Sequence, residues 1–145
     1  FNQNFPLHFQ REVSGEKVKH ENWDWYATHT LYHQDHPCSP HTNDLCNYFI
    51  PKFIKMDNFK SLMRIRVNFY PYTNRIKEHS PHIDYKVSHN AAIYCLNTCD
   101  GFTRIGKEKV GSISNRMYFF DGSVEHNSST TSNECGRYNI NFNFL

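Results

Sequence analysis

Residues 137–144 read RYNINFNF. Tyr138, Ile140, Phe142 and Phe144 alternate with Arg137, Asn139, Asn141 and Asn143, the period of two that marks a β-strand. The same alternation occurs in LMRIRVNFY at 62–70, where Met63, Ile65, Val67 and Phe69 interleave with Arg64, Arg66, Asn68 and Tyr70. AAIYCLN at 91–97 is a short apolar run of strand type, and RMYFF at 116–120 reads as a buried strand closed by Asp121–Gly122. FTRIG and KVGSIS flank the turn at Gly106–Lys107 as a hairpin. Short strands separated by turn signals, with no strand–helix alternation, predict an all-β barrel or sandwich rather than a parallel nucleotide-binding sheet.

The first sixty residues differ. They carry His29, His33, His36, His41, the Trp23/Trp25 pair and the breakers Pro37, Pro40 and Pro51. The pattern predicts short helices over 22–34 and over 55–63, the second with Phe59, Leu62 and Met63 on one face. The whole chain of 145 residues suits one domain, with 1–61 as helical and loop support and 62–145 as the β core.

Sixteen basic against fourteen acidic residues give a net charge of +2, which argues against general nucleic-acid binding. No apolar run is long enough to span a membrane. Five cysteines, an odd number without a CxxC pair, fit reduced thiols and a cytoplasmic location better than a disulfide framework. The chain starts at Phe1 rather than methionine, so residues are expected to precede it, with room for a targeting segment. A monomer or weak dimer is expected.

Histidine is a common metal ligand, and HSPHIDY at 79–85 holds a His-x-Asp pair, His82 and Asp84, with His79 off the motif and expected as a loop residue near the entrance. On a strand, i and i+2 point the same way, so an imidazole and a carboxylate would aim at one point. A histidine from another strand would complete the two-histidine, one-carboxylate face of a non-haem Fe(II) centre. His126 follows the strand at 116–120 and fits that role, and Arg137 opens the next strand. A fixed guanidinium there can pair with a carboxylate in a two-pronged fashion. The rival pair His33–Asp35 lies in a segment without alternation and has no such companions. The His29, His33, His36, Cys38, His41, Cys46 group fits no standard zinc spacing, and solvated or capping side chains are the simpler reading. NSS at 127–129 is formally a glycosylation sequon, read here as a loop.

In this order, RVNFYPY, HIDY, IYCLNTCDGFTRI, KVGSISNRMYFFDGSVEHNS and GRYNINFNF resemble the catalytic core of the 2-oxoglutarate- and Fe(II)-dependent dioxygenases, in the prolyl-hydroxylase-like branch. The resemblance covers residues 64–144. It implies a double-stranded β-helix, or jelly roll, with flanking N-terminal helices. It implies His82, Asp84 and His126 as iron ligands, Arg137 on the far carboxylate of 2-oxoglutarate, Tyr70 as a hydrogen-bonding tyrosine, and Thr103 on the pocket wall. It also implies that the polar side of the last strand faces inward. Asn139, Asn141 and Asn143 would then line or approach the site, with Asn139, Asn141, Arg66 and Asn68 as substrate contacts, while the Tyr138–Phe144 side packs under the covering helices. The family's activity consumes 2-oxoglutarate and O2, releases succinate and carbon dioxide, and hydroxylates a substrate. A peptidyl proline is the leading substrate, with a small metabolite or a nucleobase as alternatives. Two departures bear on that choice. Asp100 replaces the first glycine of the family's Gly-Gly-x-Thr segment, and Cys95 stands where some prolyl hydroxylases have a second tyrosine. Asp84 separates the chain from the halogenases, which lack that carboxylate. A reading from a different class is a catalytically silent metal-binding β-barrel that serves as an interaction module.

Overall fold

The computed structural model describes residues 5–11, 21–56 and 59–145. The strands are β1 (His8–Gln10), β2 (Tyr26–His33), β3 (His36–Pro37), β4 (Leu62–Pro71), β5 (Asn90–Cys95), β6 (Phe102–Ile105), β7 (Glu108–Gly111), β8 (Met117–Asp121), β9 (His126–Ser128) and β10 (Gly136–Phe144). Helix α1 (Thr42–Phe53) lies between β3 and β4. A large antiparallel sheet runs in the order β1-β2-β4-β10-β5-β8, with β3 beside β2. A small sheet runs β7-β6-β9. Two antiparallel sheets facing one another make a jelly roll.

The alternating strand at 137–144 lies at the centre of the large sheet, between β4 and β5. Its apolar side packs under α1. Phe142 meets Phe49 at 4.9 Å and Phe53 at 5.1 Å between ring centroids, and Phe144 stacks on Phe53 at 5.4 Å. Leu45, Phe49 and Phe53 recur at i, i+4 and i+8, which puts them on one side of α1. Leu31, Ile65, Val67, Ala92 and Ile140 complete that core. The polar side turns the other way and is no less buried: Arg137 and Asn143 are 0% exposed and Asn139 is 1% exposed, while Asn141 is half-buried. Both sides of this strand are therefore interior, one under the helix and one between the sheets.

The β6–β7 hairpin forms as the turn predicts, with Gly106 at φ +55°, a conformation that costs a glycine little. The edge strand β8 matches RMYFF in position but is not buried throughout, since Phe119 is 48% exposed.

The N-terminal helices do not form as expected. Residues 26–33 are β2, paired with β4 from Ala27↔Phe69 to His33↔Arg64. YATHTLYH is rich in Thr and Tyr, which suit a pleated surface, and its pairing with β4 outweighs any local helical pattern. Residues 55–63 are not a helix either. Ser61 N–H donates to Leu145 C=O at 3.1 Å and Leu145 N–H returns to Ser61 C=O at 2.9 Å, so the ladder claims this segment, and Leu62 and Met63 already belong to β4. Residues 57–58 lie outside the described residues. The one helix among the described residues is α1, with Pro51 inside its last turn, where the missing N–H forfeits the bond to the Asn47 carbonyl just before the helix ends. No helix among the described residues is long and apolar enough to cross a membrane.

Candidate functional site

Residues 78–82 run beside β9 and extend the small sheet. Glu78 bridges Ser129, and His82 bridges His126 through reciprocal N–H···O=C bonds of 2.9 Å in each direction. Arg104 on β6 grips Glu78 from the outer face with Nε–Oε2 2.6 Å and Nη2–Oε1 2.7 Å. That two-pronged contact holds the Glu78 carboxyl at about 2, well below its ordinary value. The backbone bridge places the two imidazoles side by side, with ring centroids 4.8 Å apart.

His82, Asp84 and His126 offer three ligand atoms that all lie within 4.8 Å of one another. His82 Nε2 is 3.9 Å from Asp84 Oδ1, and His126 Nε2 is 3.8 Å from Asp84 Oδ2. Both rings are oriented from behind. Nδ1 of His126 donates to Val124 C=O at 2.9 Å, and Nδ1 of His82 donates to Ser80 C=O at 3.4 Å. A proton on Nδ1 leaves the Nε2 lone pair free and pointed at the shared space, the tautomer a metal requires. Burial, reinforced by His126, lowers the His82 pKa and favours the neutral ring. Burial alone would raise the Asp84 carboxyl. The Arg64 guanidinium and the Asn143 amide outweigh it and keep the group ionised. Bonds of ~2.1 Å to an octahedral cation place neighbouring ligand atoms ~3 Å apart. The triangle is therefore wider than that by about one to two ångströms, and a cation would draw it in. Among the described residues this is the one group of three or more His, Cys, Asp or Glu side chains close enough to hold a metal. The N-terminal His/Cys residues do not gather into another.

Arg137 stands farther along β10, opposite Tyr70 of β4. Its Nη1 donates to Phe102 C=O at 2.8 Å and its Nη2 to Thr103 Oγ1 at 2.6 Å, so the small sheet clasps it. Its guanidinium lies 5.3 Å from the Tyr70 ring centroid. Among the described residues no carboxylate pairs with it, although it is wholly buried. An unpaired charge in a low-dielectric interior is costly, and an anionic ligand would relieve that cost. Around it are buried polar atoms without hydrogen-bond partners: Arg137 Nε, Ser128 Oγ, the Tyr118 hydroxyl and His79 Nε2. A fully buried cation with orphaned donors and acceptors suits a small anion with several oxygens, so the residues present fit 2-oxoglutarate.

Thr103 therefore touches Arg137 directly, and Tyr70 stacks over it. Asn68 Nδ2 donates to Asn139 Oδ1 at 3.1 Å, which makes these two partners of each other on the sheet floor. Arg66 faces Asn141 across the β4–β10 pair and has no side-chain hydrogen bond or ion pair among the described residues. Asn127 of the formal sequon is 3% exposed within β9, so that segment is a strand and not a loop.

Three features escaped the sequence reading, Arg64, Tyr118 and the buried position of His79, while Asn143 stands where the inward polar side of the last strand was expected to approach the site. Arg64 meets Asp84 at 2.7 Å, and Asn143 Nδ2 donates to Asp84 Oδ2 at 2.9 Å. Both lie on alternating strands on the predicted inward side, which was the available signal. His79, expected as a loop residue near the entrance, is 2% exposed, with Nδ1 held by Asp24 at 2.8 Å and its ring 5.5 Å from Tyr70. Burial lowers its pKa against the opposing pull of Asp24. Tyr118, on β8 next to β5, has its hydroxyl pushed up to about 12 by burial. No sequence signal marked these last two. Asp100, the departure from a glycine, accepts from Thr131 Oγ1 at 2.7 Å and Ser132 N–H at 2.8 Å, and so ties down the loop before β10.

No family model matches the chain, and no curated protein does. Solved structures do. An oxidoreductase of the 2OG-Fe(II) oxygenase family from Burkholderia pseudomallei superposes with a TM-score of 0.67 at 8% identity, over 97% of this chain and 73% of that one. The fold is that of the 2-oxoglutarate- and Fe(II)-dependent oxygenases. The viral collagen prolyl hydroxylase of Paramecium bursaria Chlorella virus-1, solved with 2-oxoglutarate, gives 0.57 at 11% identity over 83% of this chain and 79% of that one. A prolyl hydroxylase from Trichoplax adhaerens, solved with a peptide of the hypoxia inducible factor degradation domain, gives 0.55 at 16% identity over 82% and 62%. The prolyl-hydroxylase-like oxygenase fold therefore extends to this chain at identities that show fold alone.

Proposed function

We propose that this chain is an Fe(II)- and 2-oxoglutarate-dependent dioxygenase, a hydroxylase of prolyl-hydroxylase type that acts on a peptide or protein. The observation that carries this reading is Arg137, a fully buried cation with no acidic partner among the described residues, facing the same interior as the His82–Asp84–His126 triangle. One feature binds a cation and the other an anion, as the co-substrate and the metal require. His82, Asp84 and His126 would hold Fe(II) on one side and leave its other positions open. When bound, Fe(II) with 2-oxoglutarate and O2 supplies the oxidising power for hydroxylation.

The remaining work falls to the chain's own residues. Arg137, aided by Thr103 and Tyr70, orients the far carboxylate of the co-substrate, and Gly101 leaves room for the arginine stem. Val124 C=O and Ser80 C=O keep the two histidines in the ligating tautomer. Arg64 and Asn143 keep Asp84 ionised and aimed. Phe120, whose ring lies 5.1 Å from His126 edge to face, excludes water on the β8 side. Five free cysteines suit a reducing compartment, and we place the enzyme in the cytoplasm.

The test is binding before turnover. Purified protein should bind Mn(II), an unreactive stand-in for Fe(II), and then 2-oxoglutarate, by calorimetry. His126→Ala should lose the metal, and Arg137→Met should keep the metal and lose 2-oxoglutarate by about a hundredfold, the scale of a charge-assisted pair. Wild-type protein that binds neither ligand would refute the oxygenase reading and favour the interaction module.

A further inference from the structure

We infer that the substrate presents a carboxylate to Arg66. Resting on the oxygenase reading above, this names the chemical class of what that site would modify.

Arg66 lies on the inner side of β4, between Arg64 and Asn68, opposite Asn141 on β10 and Thr30 on β2. It is half-buried, and its Nε is enclosed without a hydrogen-bond partner. The Asn141 Oδ1 opposite it is enclosed and unpartnered too. The neighbouring carboxylate is Asp84, and it is already committed. Arg64 occupies Oδ1, Asn143 occupies Oδ2, and the remaining lone pairs face the two histidines. Arg64 therefore has a counter-charge and Arg66 does not. Two guanidiniums side by side on one strand repel one another, and a half-buried one without a partner is poorly solvated. An incoming carboxylate corrects both defects, since the planar fork of an arginine matches it with two parallel hydrogen bonds.

The co-substrate does not satisfy Arg66. Arg137 pairs in register with Tyr70, four residues from Arg66 along β4, or about 13 Å at ~3.3 Å per residue. A five-carbon diacid anchored at Arg137 leaves its far carboxylate there. Arg66 is instead close to the metal triangle: Arg64, two residues away on the same side of β4, pairs with Asp84, and Asn141, opposite Arg66, has its Nδ2 3.5 Å from Asp84 Oδ2. It is thus placed for the molecule whose C–H bond approaches the metal. The carboxylate can belong to a free acid or to an acidic side chain of a peptide, and the two are separable by experiment.

The protein is loaded with Zn(II) and N-oxalylglycine, an unreactive 2-oxoglutarate analogue, and the Arg66 Nε–H resonance is followed by NMR. Two matched pairs of probes are titrated: N-acetylglycine against N-acetylglycinamide, and acetyl-Ala-Asp-Ala-amide against its Asn twin. At least one acid is expected to shift the resonance saturably, about tenfold tighter than its neutral twin. The acid that does so identifies the source. Arg66→Met should abolish that binding and leave N-oxalylglycine affinity within about twofold, while Arg66→Lys should retain part of it. Neutral probes that bind as well as the acids, or acids that leave Arg66 unmoved, overturn the inference. Loss of N-oxalylglycine in Arg66→Met also overturns it, by assigning Arg66 to the co-substrate. Failure of the wild-type protein to take up Zn(II) and N-oxalylglycine is a different result. It sinks the oxygenase reading, and the role of Arg66 with it.

Discussion

Arg64 Nη2 lies 2.7 Å from Asp84 Oδ1, and the two side chains are 10% and 8% exposed. This buried ion pair holds the predicted carboxylate ligand, and Asn143 supports both partners, accepting from Arg64 Nε at 3.0 Å and donating to Asp84. Removing one member of a buried pair leaves the other charge stranded, at a cost of about 3–5 kcal/mol. Arg64→Gln should therefore be destabilised by roughly that amount in chelator. A divalent cation can replace the missing positive charge beside Asp84. Saturating Mn(II) should then stabilise the variant more than it stabilises wild type. Thermal unfolding in EDTA and in Mn(II) checks both. A variant as stable as wild type in EDTA would mean that the pair contributes nothing.

Gly101 carries a second prediction. A Cβ at this position would come within 2.8 Å of Thr130 O and 2.9 Å of Arg137 Cδ. The first contact is backbone and does not yield easily, so the arginine stem must move. Gly101→Ala should cost about 1–3 kcal/mol of overpacking. It should also weaken 2-oxoglutarate binding at least several-fold, while Mn(II) affinity at the triangle, whose three residues a Cβ at Gly101 does not meet, stays within about twofold. Calorimetry with each ligand in turn separates the two effects. Equal loss of both would mean that the substitution unfolds the site as a whole.

Glu78 gives a pH signature. Its folded pKa, about 2, lies below the ordinary glutamate value of ~4.3. The group therefore contributes stability above its unfolded pKa and loses that contribution as pH falls from about 4.3 through 2. Both partners are about one-third exposed, at 33% for Glu78 and 30% for Arg104, so solvent screening limits the contribution to about 1 kcal/mol or less. Urea midpoints of wild type and Glu78→Gln should differ at about pH 6, draw together as pH falls below about 4.3, and converge only below about pH 2. A gap that persists undiminished in acid would assign the effect to packing instead of charge.

The strands were legible wherever side chains alternate, because the period of two is local. RYNINFNF became β10 and LMRIRVNFY became β4 with their expected sides inward. The polar side of β10 would face water in an ordinary two-layer protein; only the resemblance turned it inward, since alternation does not say which side meets the second sheet. β2 and α1 were misplaced for a different reason. YATHTLYH is settled by the strand beside it, which begins some thirty residues later, and Pro51 obscured a helix whose Leu45, Phe49 and Phe53 repeat was otherwise readable. The same limit applies within the site. His82, Asp84, His126 and Arg137 carry motif spacing. Arg64 beside Asp84, and Asp24 beneath His79 across 55 residues, are contacts that only the folded chain brings together.

The helix that the sequence hid supports the opposite side of the strand that carries the site, and this gives the last prediction. Phe53 is 1% exposed and packs among Phe49, Phe59, Phe142 and Phe144, the last with its ring stacked at 5.4 Å. Phe53→Ala removes a large ring where the surroundings are themselves rigid aromatics that collapse poorly, so about 3–5 kcal/mol should be lost. Phe142 and Phe144 alternate along β10 with Asn141 and Asn143, whose amides reach Asp84. A cavity under one side of the strand therefore loosens the support of Asp84 on the other. Mn(II) affinity should fall along with the urea midpoint, although Phe53 touches no candidate ligand. Tyr48→Ala is the control, because Tyr48 is 56% exposed on the outer side of α1. It should change the midpoint by about 0.5 kcal/mol or less and leave metal binding unaltered. A Phe53→Ala protein that unfolds more easily but binds Mn(II) as wild type does would show that the site is held from the barrel side alone.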